Sequence, residues 1–277
     1  MKALPTRPNR KLVSFIVPAM NEPNALETLY KQVRQVMRAT SYNWEIIFID
    51  EGSTDRTWEF MVDLAFRDSG HVSSYKLPGN HGKADALALG YKVAGGDIIF
   101  TMDADLQDDP KEIPSFLNAI EQGSDIVNGR ETERSEAIHR AALKQICNTM
   151  LNLMTGAKLS DHTCSYKACT REVIKSLPQD GDVQAMVTTI ATIQGFKATE
   201  IEIKHHARKY DVNSKRAERL VIGAFQTFTT AIRQAFHADE QFERSFLVEA
   251  SVNGNPSDPF IRIHHHAGVG AGKLGAA

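Results

Sequence analysis

The sequence predicts an α/β fold in which a mostly parallel central sheet is flanked by helices. Short runs of apolar residues alternate with amphipathic segments over the first hundred residues. The apolar runs are continuous, as in strands whose two faces are both buried under crossover helices. Gly and Pro punctuate the pattern between strands and helices, which favours repeated strand–helix–strand units around one sheet.

The predicted elements follow one another in a regular order. Strands are predicted over residues 12–17, 44–49, 72–77 and 97–102, and helices over 24–38, 56–66, 84–93 and 114–122. Pro18 stops the first strand, and Thr54 or Asp55 can cap the second helix. Beyond a short strand at 125–127, helices are predicted over 137–153, 171–177, 185–194 and 215–236, with a half-buried strand over 198–204.

Composition and charge exclude several classes of protein. Among 277 residues, 32 are Lys or Arg and 34 are Asp or Glu, so the formal net charge is −2 and no nucleic-acid partner is expected. The three cysteines, Cys147, Cys164 and Cys169, match neither a disulfide framework nor a zinc site and fit the reducing cytoplasm. Residues 1–11 lack an apolar core, and no apolar run approaches the roughly 18 residues of a membrane span. Neither a signal peptide nor a transmembrane helix is therefore predicted.

Two carboxylates follow the fourth predicted strand directly, at Asp103 and Asp105. Ligands of α/β proteins bind at the carboxyl ends of the strands. Neighbouring like charges repel one another unless a cation or a ligand compensates them. A divalent ion held by one carboxylate and by the diphosphate oxygens of a substrate is the expected solution.

Three further polar motifs lie at strand-to-helix connections. They are Val-Pro-Ala-Met-Asn-Glu over 17–22, Asp-Glu-Gly-Ser-Thr-Asp over 50–55 and Asn-His-Gly-Lys over 80–83. Because such connections meet at one edge of a parallel sheet, the motifs are expected to converge with Asp103 and Asp105.

The ordered motifs VPxxNE, D(D/E)GSTD, NxGKxxAL and DADLQ resemble those of family 2 glycosyltransferases of the GT-A fold, over about residues 12–236. The most similar subgroup is that of dolichyl-phosphate mannose synthases and bacterial polyprenyl-phosphate sugar transferases. The resemblance implies a metal-dependent, inverting transfer of a hexose from GDP-mannose or a UDP-hexose to dolichyl or undecaprenyl phosphate. It also implies a cell-envelope enzyme that is peripheral on the cytoplasmic membrane face.

The resemblance implies roles for individual residues as well. Asp105 and Gln107 would hold Mg²⁺ or Mn²⁺, and Asp105 and Arg134 would be catalytic. Nucleotide-sugar contacts are implied for Pro18, Met20, Glu22, Ile49, Glu51, Asp103, Ala104, Arg208 and Lys215, and acceptor-phosphate contacts for Arg134, Arg140 and Lys144. Residues 12–110 would form the nucleotide-sugar half, 111–236 the acceptor half with its C-terminal amphipathic helix, 1–11 a basic N-terminal segment and 237–277 a loosely ordered tail.

The sequence departs from the family pattern at four positions. Met20 replaces a usual Tyr, Glu51 an Asp, Glu131 an Arg and Ser165 a Gly. These departures keep open a non-catalytic protein that only binds a nucleotide sugar. A further alternative is transfer to a hydroxyl group on a glycan or small molecule, with Asp180 or Asp182 as the base.

Three other points stay open from the sequence. The basic helical face of Arg140 and Lys144 is equally consistent with a solvated surface, and the helix over 215–236 with core packing or with a membrane interface. The oligomeric state is not predicted.

Overall fold

The described part of the chain has an α/β fold built on one β-sheet, as predicted. The computed structural model describes residues 10–79, 82–131, 148–149, 152–153, 159–160, 164–177, 187–203, 250–252 and 262–263. Within these ranges the strands form a nine-stranded sheet in the order β7-β5-β6-β4-β1-β2-β3-β8-β9. The predicted fold class is therefore confirmed.

The elements of the first half lie close to their predicted positions. They are β1 (Leu12–Ala19), α1 (Pro23–Arg38), β2 (Asn43–Asp50), α2 (Thr57–Arg67), β3 (Val72–Lys76), α3 (Lys83–Val93), β4 (Ile98–Thr101), a 3₁₀ turn (Pro110–Glu112), α4 (Ile113–Glu121) and β5 (Ile126–Glu131). The second half adds β6 (Lys167–Thr170), α5 (Arg171–Ser176), α6 (Val187–Ile193), β7 (Ala198–Ile203), β8 (Ala250–Val252) and β9 (Arg262–Ile263). Helical residues 148–149 and 152–153 fall inside the predicted helix over 137–153.

The central strands are parallel, and the sheet becomes mixed on both sides. β1 pairs in parallel with β2 and β4, and β2 with β3. β6 runs antiparallel between β4 and β5, whereas β5 and β7 are parallel. Consequently β1, β2, β4 and β5 all end at the same edge of the sheet.

The sheet separates two apolar layers. Phe15 and Val17 pack on one face with α1, α2 and α4, whereas Ile16 packs on the other face with α3, α5 and α6. Helix α3 lies directly on the sheet, because a Cβ added at Gly90 would be 2.3 Å from Ile16 Cγ2. Burial of both faces explains why the strands read as continuous apolar runs.

Strand β6 was not predicted, because its residues, Lys167–Thr170, are few and begin with a lysine. The lysine is buried, and its ammonium group donates to the Thr188 hydroxyl at 3.3 Å. The hydroxyl in turn donates to Asn128 Oδ1 at 2.9 Å. Pairing with β4 and β5 therefore stabilises β6 more than its own strand propensity does.

The segment predicted as a tail contains β8 and β9. β8 pairs antiparallel with β3, and β9 pairs with β8, so both extend the sheet at one edge. The domain boundaries at 11, 110 and 236 stay predictions. None of the helices in the described ranges has both the length and the apolarity needed to cross a membrane.

Candidate active site

The polar motifs that follow β1 and β2 lie side by side at the carboxyl edge of the sheet. The Glu51 amide donates to the Ala19 carbonyl at 3.0 Å, and the Leu77 amide donates to the Asp50 carbonyl at 3.0 Å. Pro18 and Ile49 are register partners near the ends of their strands, and both are buried. The predicted convergence of these loops is therefore observed.

Asn21 links the first two motifs. Its backbone has a φ of 58°, a left-handed conformation that Asn tolerates better than most residues. Its amide donates to the Ser53 hydroxyl at 3.0 Å, and its side-chain oxygen accepts from the Thr54 amide at 3.0 Å. The Glu22 amide donates to the Thr57 hydroxyl at 2.9 Å. These bonds fix the two loops relative to one another.

Three acids of these loops are buried: Glu22, Asp50 and Glu51. Asp50 Oδ1 accepts from the Ser53 amide at 2.8 Å, which shapes the turn after β2. Its other oxygen is buried without a hydrogen-bond partner in the described structure.

Asp103 is held by two side chains that are distant in sequence. The Lys83 ammonium forms an ion pair with Oδ1, and the Ser165 hydroxyl donates to Oδ2 at 3.0 Å. Although burial opposes the ammonium form, the charges of Asp103, Asp108 and Glu51 outweigh it and raise the pKa of Lys83. Lys83 is therefore the cation that compensates this acidic cluster.

The loop after Asp103 is tightly turned. Leu106 has a φ of 65°, the Gln107 amide donates to Asp105 Oδ1 at 3.1 Å, and the Asp103 amide donates to Asp108 Oδ2 at 3.1 Å. Burial, and then the charge of Asp103, raise the pKa of Asp108 well above its ordinary value. Asp108 is thus a buried acid that supports the backbone beneath the site.

The donor atoms at Asp105 and Gln107 suit a hard divalent cation. A carboxylate and an amide oxygen two residues apart are ligand types that Mg²⁺ and Mn²⁺ accept. In the described residues, no three His, Cys, Asp or Glu side chains gather into a group that could hold a metal ion. The fit is therefore to a partial set of ligands.

Several predicted site residues lie outside the described residues. They are the acceptor-phosphate residues Arg134, Arg140 and Lys144, the alternative bases Asp180 and Asp182, and the nucleotide-sugar residues Arg208 and Lys215. Among the described positions, Ala104 is buried and Met20 is half-buried beside the loop after β1. Arg130, one place before Glu131, pairs with Glu202 of the neighbouring strand β7.

Sequence reasoning missed Lys83 and Asp108. Lys83 stands in the Asn-His-Gly-Lys motif, but its contact with Asp103 joins positions 20 residues apart. A lysine at the start of the helix before an acidic pair was the available signal. Nothing in the sequence distinguishes the buried Asp108 from its half-buried neighbours, Gln107 and Asp109.

Comparisons with known proteins identify relatives of this chain by sequence. The family model described as "Glycosyl transferase family 2" matches residues 14–178. An undecaprenyl-phosphate 4-deoxy-4-formamido-L-arabinose transferase of Photorhabdus laumondii is 30% identical over 200 residues, 72% of this chain and 62% of that protein. The Salmonella choleraesuis protein of the same description is 30% identical over 211 residues, 76% of this chain and 64% of that protein. The chain thus spans less than two thirds of the length of these relatives.

Solved structures share the fold. Glucosyl-3-phosphoglycerate synthase from Mycobacterium tuberculosis, in complex with Mn²⁺, uridine diphosphate and phosphoglyceric acid, superposes with a TM-score of 0.60 at 16% identity. The match covers 81% of this chain and 78% of that one. A complex of the same enzyme with Mg²⁺ and uridine diphosphate gives a TM-score of 0.61 at 17% identity over 92% and 87% of the two chains.

Proposed function

We propose a glycosyl-transfer reaction for this chain, which belongs to glycosyl transferase family 2: the family model matches more than half of the residues of the chain. The chain transfers a sugar, proposed to be a hexose, from a nucleoside-diphosphate sugar to a polyprenyl phosphate. The observation that carries the proposal is the acidic cluster at the carboxyl edge, where Lys83 and Ser165 hold Asp103.

The donor half of the proposal rests on the loops after β1, β2 and β4. Glu22 and Glu51 contribute buried carboxylates that can accept hydrogen bonds from ribose hydroxyls and base N–H groups. Asp103 accepts from hydroxyls of the sugar, with Ala104 beside it. Met20 supplies half-buried apolar surface in the loop after β1, whereas Pro18 and Ile49 are buried near the ends of β1 and β2 and are proposed to support the donor from beneath. Arg208 and Lys215 are proposed partners of the diphosphate.

A divalent cation, Mg²⁺ or Mn²⁺, would be held by Asp105 and Gln107 together with diphosphate oxygens of the donor. When bound, it would neutralise the charge that grows on the leaving nucleoside diphosphate. Asp105 is buried and its loop is braced by the Gln107 amide, so the carboxylate is presented in a fixed orientation. The Asp103 carboxylate is paired with Lys83, so Asp105 is the proposed carboxylate ligand of the metal.

The acceptor half of the proposal rests on the chemistry of a phosphate. Its second pKa is about 6, so it is a dianion near neutral pH and needs no general base. One phosphate oxygen attacks the anomeric carbon as the bond to the diphosphate breaks, with inversion. Arg134, Arg140 and Lys144 are proposed to hold the two anions together, as guanidinium and ammonium groups do. The relatives from Photorhabdus laumondii and Salmonella choleraesuis, both described as undecaprenyl-phosphate transferases, support this acceptor.

The acceptor is a lipid, so the reaction is proposed to occur at the cytoplasmic face of the membrane with the chain bound peripherally. The helix predicted over 215–236 is a proposed contact, since its arginines would be attracted to anionic lipid.

The test is the release of nucleoside diphosphate from GDP- and UDP-hexoses and from a UDP-pentose, with Mn²⁺, in the presence and absence of a short polyprenyl phosphate. The proposal predicts release that depends on the lipid phosphate and stops when a chelator removes the metal. Release that a sugar hydroxyl stimulates while polyprenyl phosphate does not would contradict it. That result would favour a hydroxyl acceptor, with Asp180 or Asp182 as the base.

A further inference from the structure

Ser165 lies opposite Asp103 where β4 and β6 diverge. Thr101 and Lys167 are register partners in this antiparallel pair, so Asp103 and Ser165 lie opposite each other two residues further on. Their side chains meet, since the Ser165 hydroxyl donates to Asp103 Oδ2 at 3.0 Å. The contact joins positions 62 residues apart and belongs to the tertiary structure alone.

The backbone around Ser165 is fixed. The Thr101 hydroxyl donates to the Ser165 carbonyl at 2.6 Å, and the Gly129 amide donates to the next carbonyl, that of Tyr166, at 2.9 Å. The Tyr166 ring is fully buried, 4.6 Å from Phe116 between ring centroids. Because this backbone is constrained, the Ser165 side chain starts from a fixed position, and a residue that orients another side chain needs such a position.

The Asp103 carboxylate is consequently gripped on both oxygens, by Lys83 at Oδ1 and by Ser165 at Oδ2. Two donors on different oxygens fix the plane of the carboxylate as well as its position.

We propose that Ser165 is a positioning residue that, with Lys83, orients Asp103 to accept hydrogen bonds from the sugar of the donor. The inference rests on the proposed function, because it takes the ligand of Asp103 to be a nucleotide sugar. The glycine of the resembling family at this position has no hydroxyl to donate. The orientation of Asp103 by the side chain of Ser165, two residues before β6, is therefore not implied by the resemblance.

The inference has a specific consequence for binding. A carboxylate that is already oriented loses less rotational freedom when it accepts a hydrogen bond from a ligand hydroxyl. Loss of the Ser165 hydroxyl should therefore weaken the binding of a nucleotide sugar, whose sugar contacts Asp103. It should weaken the binding of the corresponding nucleoside diphosphate less, because that ligand lacks the sugar. A purely structural role would weaken both ligands alike or neither.

The experiment is calorimetric titration of wild-type protein, Ser165→Ala and Ser165→Thr with UDP and GDP and with the UDP- and GDP-sugars of the release panel, in Mn²⁺. Ser124→Ala is the matched control, because its buried hydroxyl bonds to Thr199 at 2.8 Å near the start of β5, at the opposite edge of the sheet. We expect Ser165→Ala to raise the Kd of the nucleotide sugar about three- to tenfold and that of the nucleoside diphosphate by less than about twofold. Ser165→Thr keeps a hydroxyl and should recover most of the loss, and Ser124→Ala should match wild type.

Equal Kd values for wild type and Ser165→Ala, or equal weakening of both ligands, would overturn the inference. The titration contains no acceptor, so it separates the two proposals. If the sugar-selective loss is found while polyprenyl phosphate fails to stimulate release, the positioning role stands and the acceptor assignment falls. A wild-type protein that binds none of the nucleotide sugars overturns both.

Discussion

Replacement of Lys83 by Met tests whether the acidic edge depends on a single compensating cation. The substitution keeps most of the side-chain volume but leaves Asp103 close to Asp108 and Glu51 without the ammonium group that interacts with all three. Two unit charges 4 Å apart attract by about 4 kcal/mol at an effective dielectric constant of about 20. Lys83 and Asp103 are 39% and 34% exposed, so water screens much of this attraction. The remaining contribution to the free energy of unfolding is about 1 to 2 kcal/mol.

Urea denaturation followed by circular dichroism measures the loss directly, and calorimetry with UDP and Mn²⁺ measures donor-site binding. Lys31→Met is the matched control, since Lys31 forms an exposed ion pair with Glu27 one helical turn away at 3.1 Å. That variant should lose no more than about 0.5 kcal/mol. If Lys83→Met were as stable as wild type and bound UDP with unchanged affinity, the compensating role of Lys83 would be refuted.

Three further substitutions test separate parts of the account. Asp105→Ala should abolish turnover and Mn²⁺-dependent nucleotide binding in calorimetry, and near-normal activity would refute the metal assignment. Asp108→Asn should leave the folded backbone unchanged. The raised pKa of Asp108 favours the protonated folded form, so the free energy of unfolding of the variant should increase relative to that of wild type as the pH rises above the ordinary pKa of 3.8, by at most about 1.4 kcal/mol per pH unit. Urea titrations of metal-free protein from pH 4 to 8 in which the two free energies of unfolding change with pH in parallel would argue against this reasoning. Gly90→Ala should cost about 1 to 3 kcal/mol in the same assay, since its Cβ would meet Ile16 Cγ2 at 2.3 Å, and an unchanged denaturation midpoint would contradict that packing.

The parallel core of the sheet was predictable because its strands are buried on both faces. β1, β2 and β4 are continuous apolar runs, and each is followed by a polar motif and a helix. Their ends shifted by only a few residues; Asp50, for example, is the last residue of β2 and was predicted to follow it. Short strands such as β6 depend on pairing partners far away in sequence, which local composition does not encode.

The candidate site was predictable in its outline and not in its contacts. Because parallel strands share a carboxyl edge, the sequence alone predicts that the motifs after β1, β2 and β4 lie close together. The contacts of Lys83 and Ser165 with Asp103 depend on how the fold brings the start of α3 and the residues before β6 to the end of β4. Distances of that kind arise from the whole fold, so a linear pattern reveals the acids but not their partners.

The most direct test of the central claim is mass spectrometry of the lipid extracted after the chain is incubated with its best donor, Mn²⁺ and either a polyprenyl phosphate or the matching polyprenol. The account predicts a lipid heavier by one sugar residue with the phosphate and no such product with the polyprenol. Equal glycosylation of both lipids, or of the polyprenol alone, would contradict transfer to a phosphate.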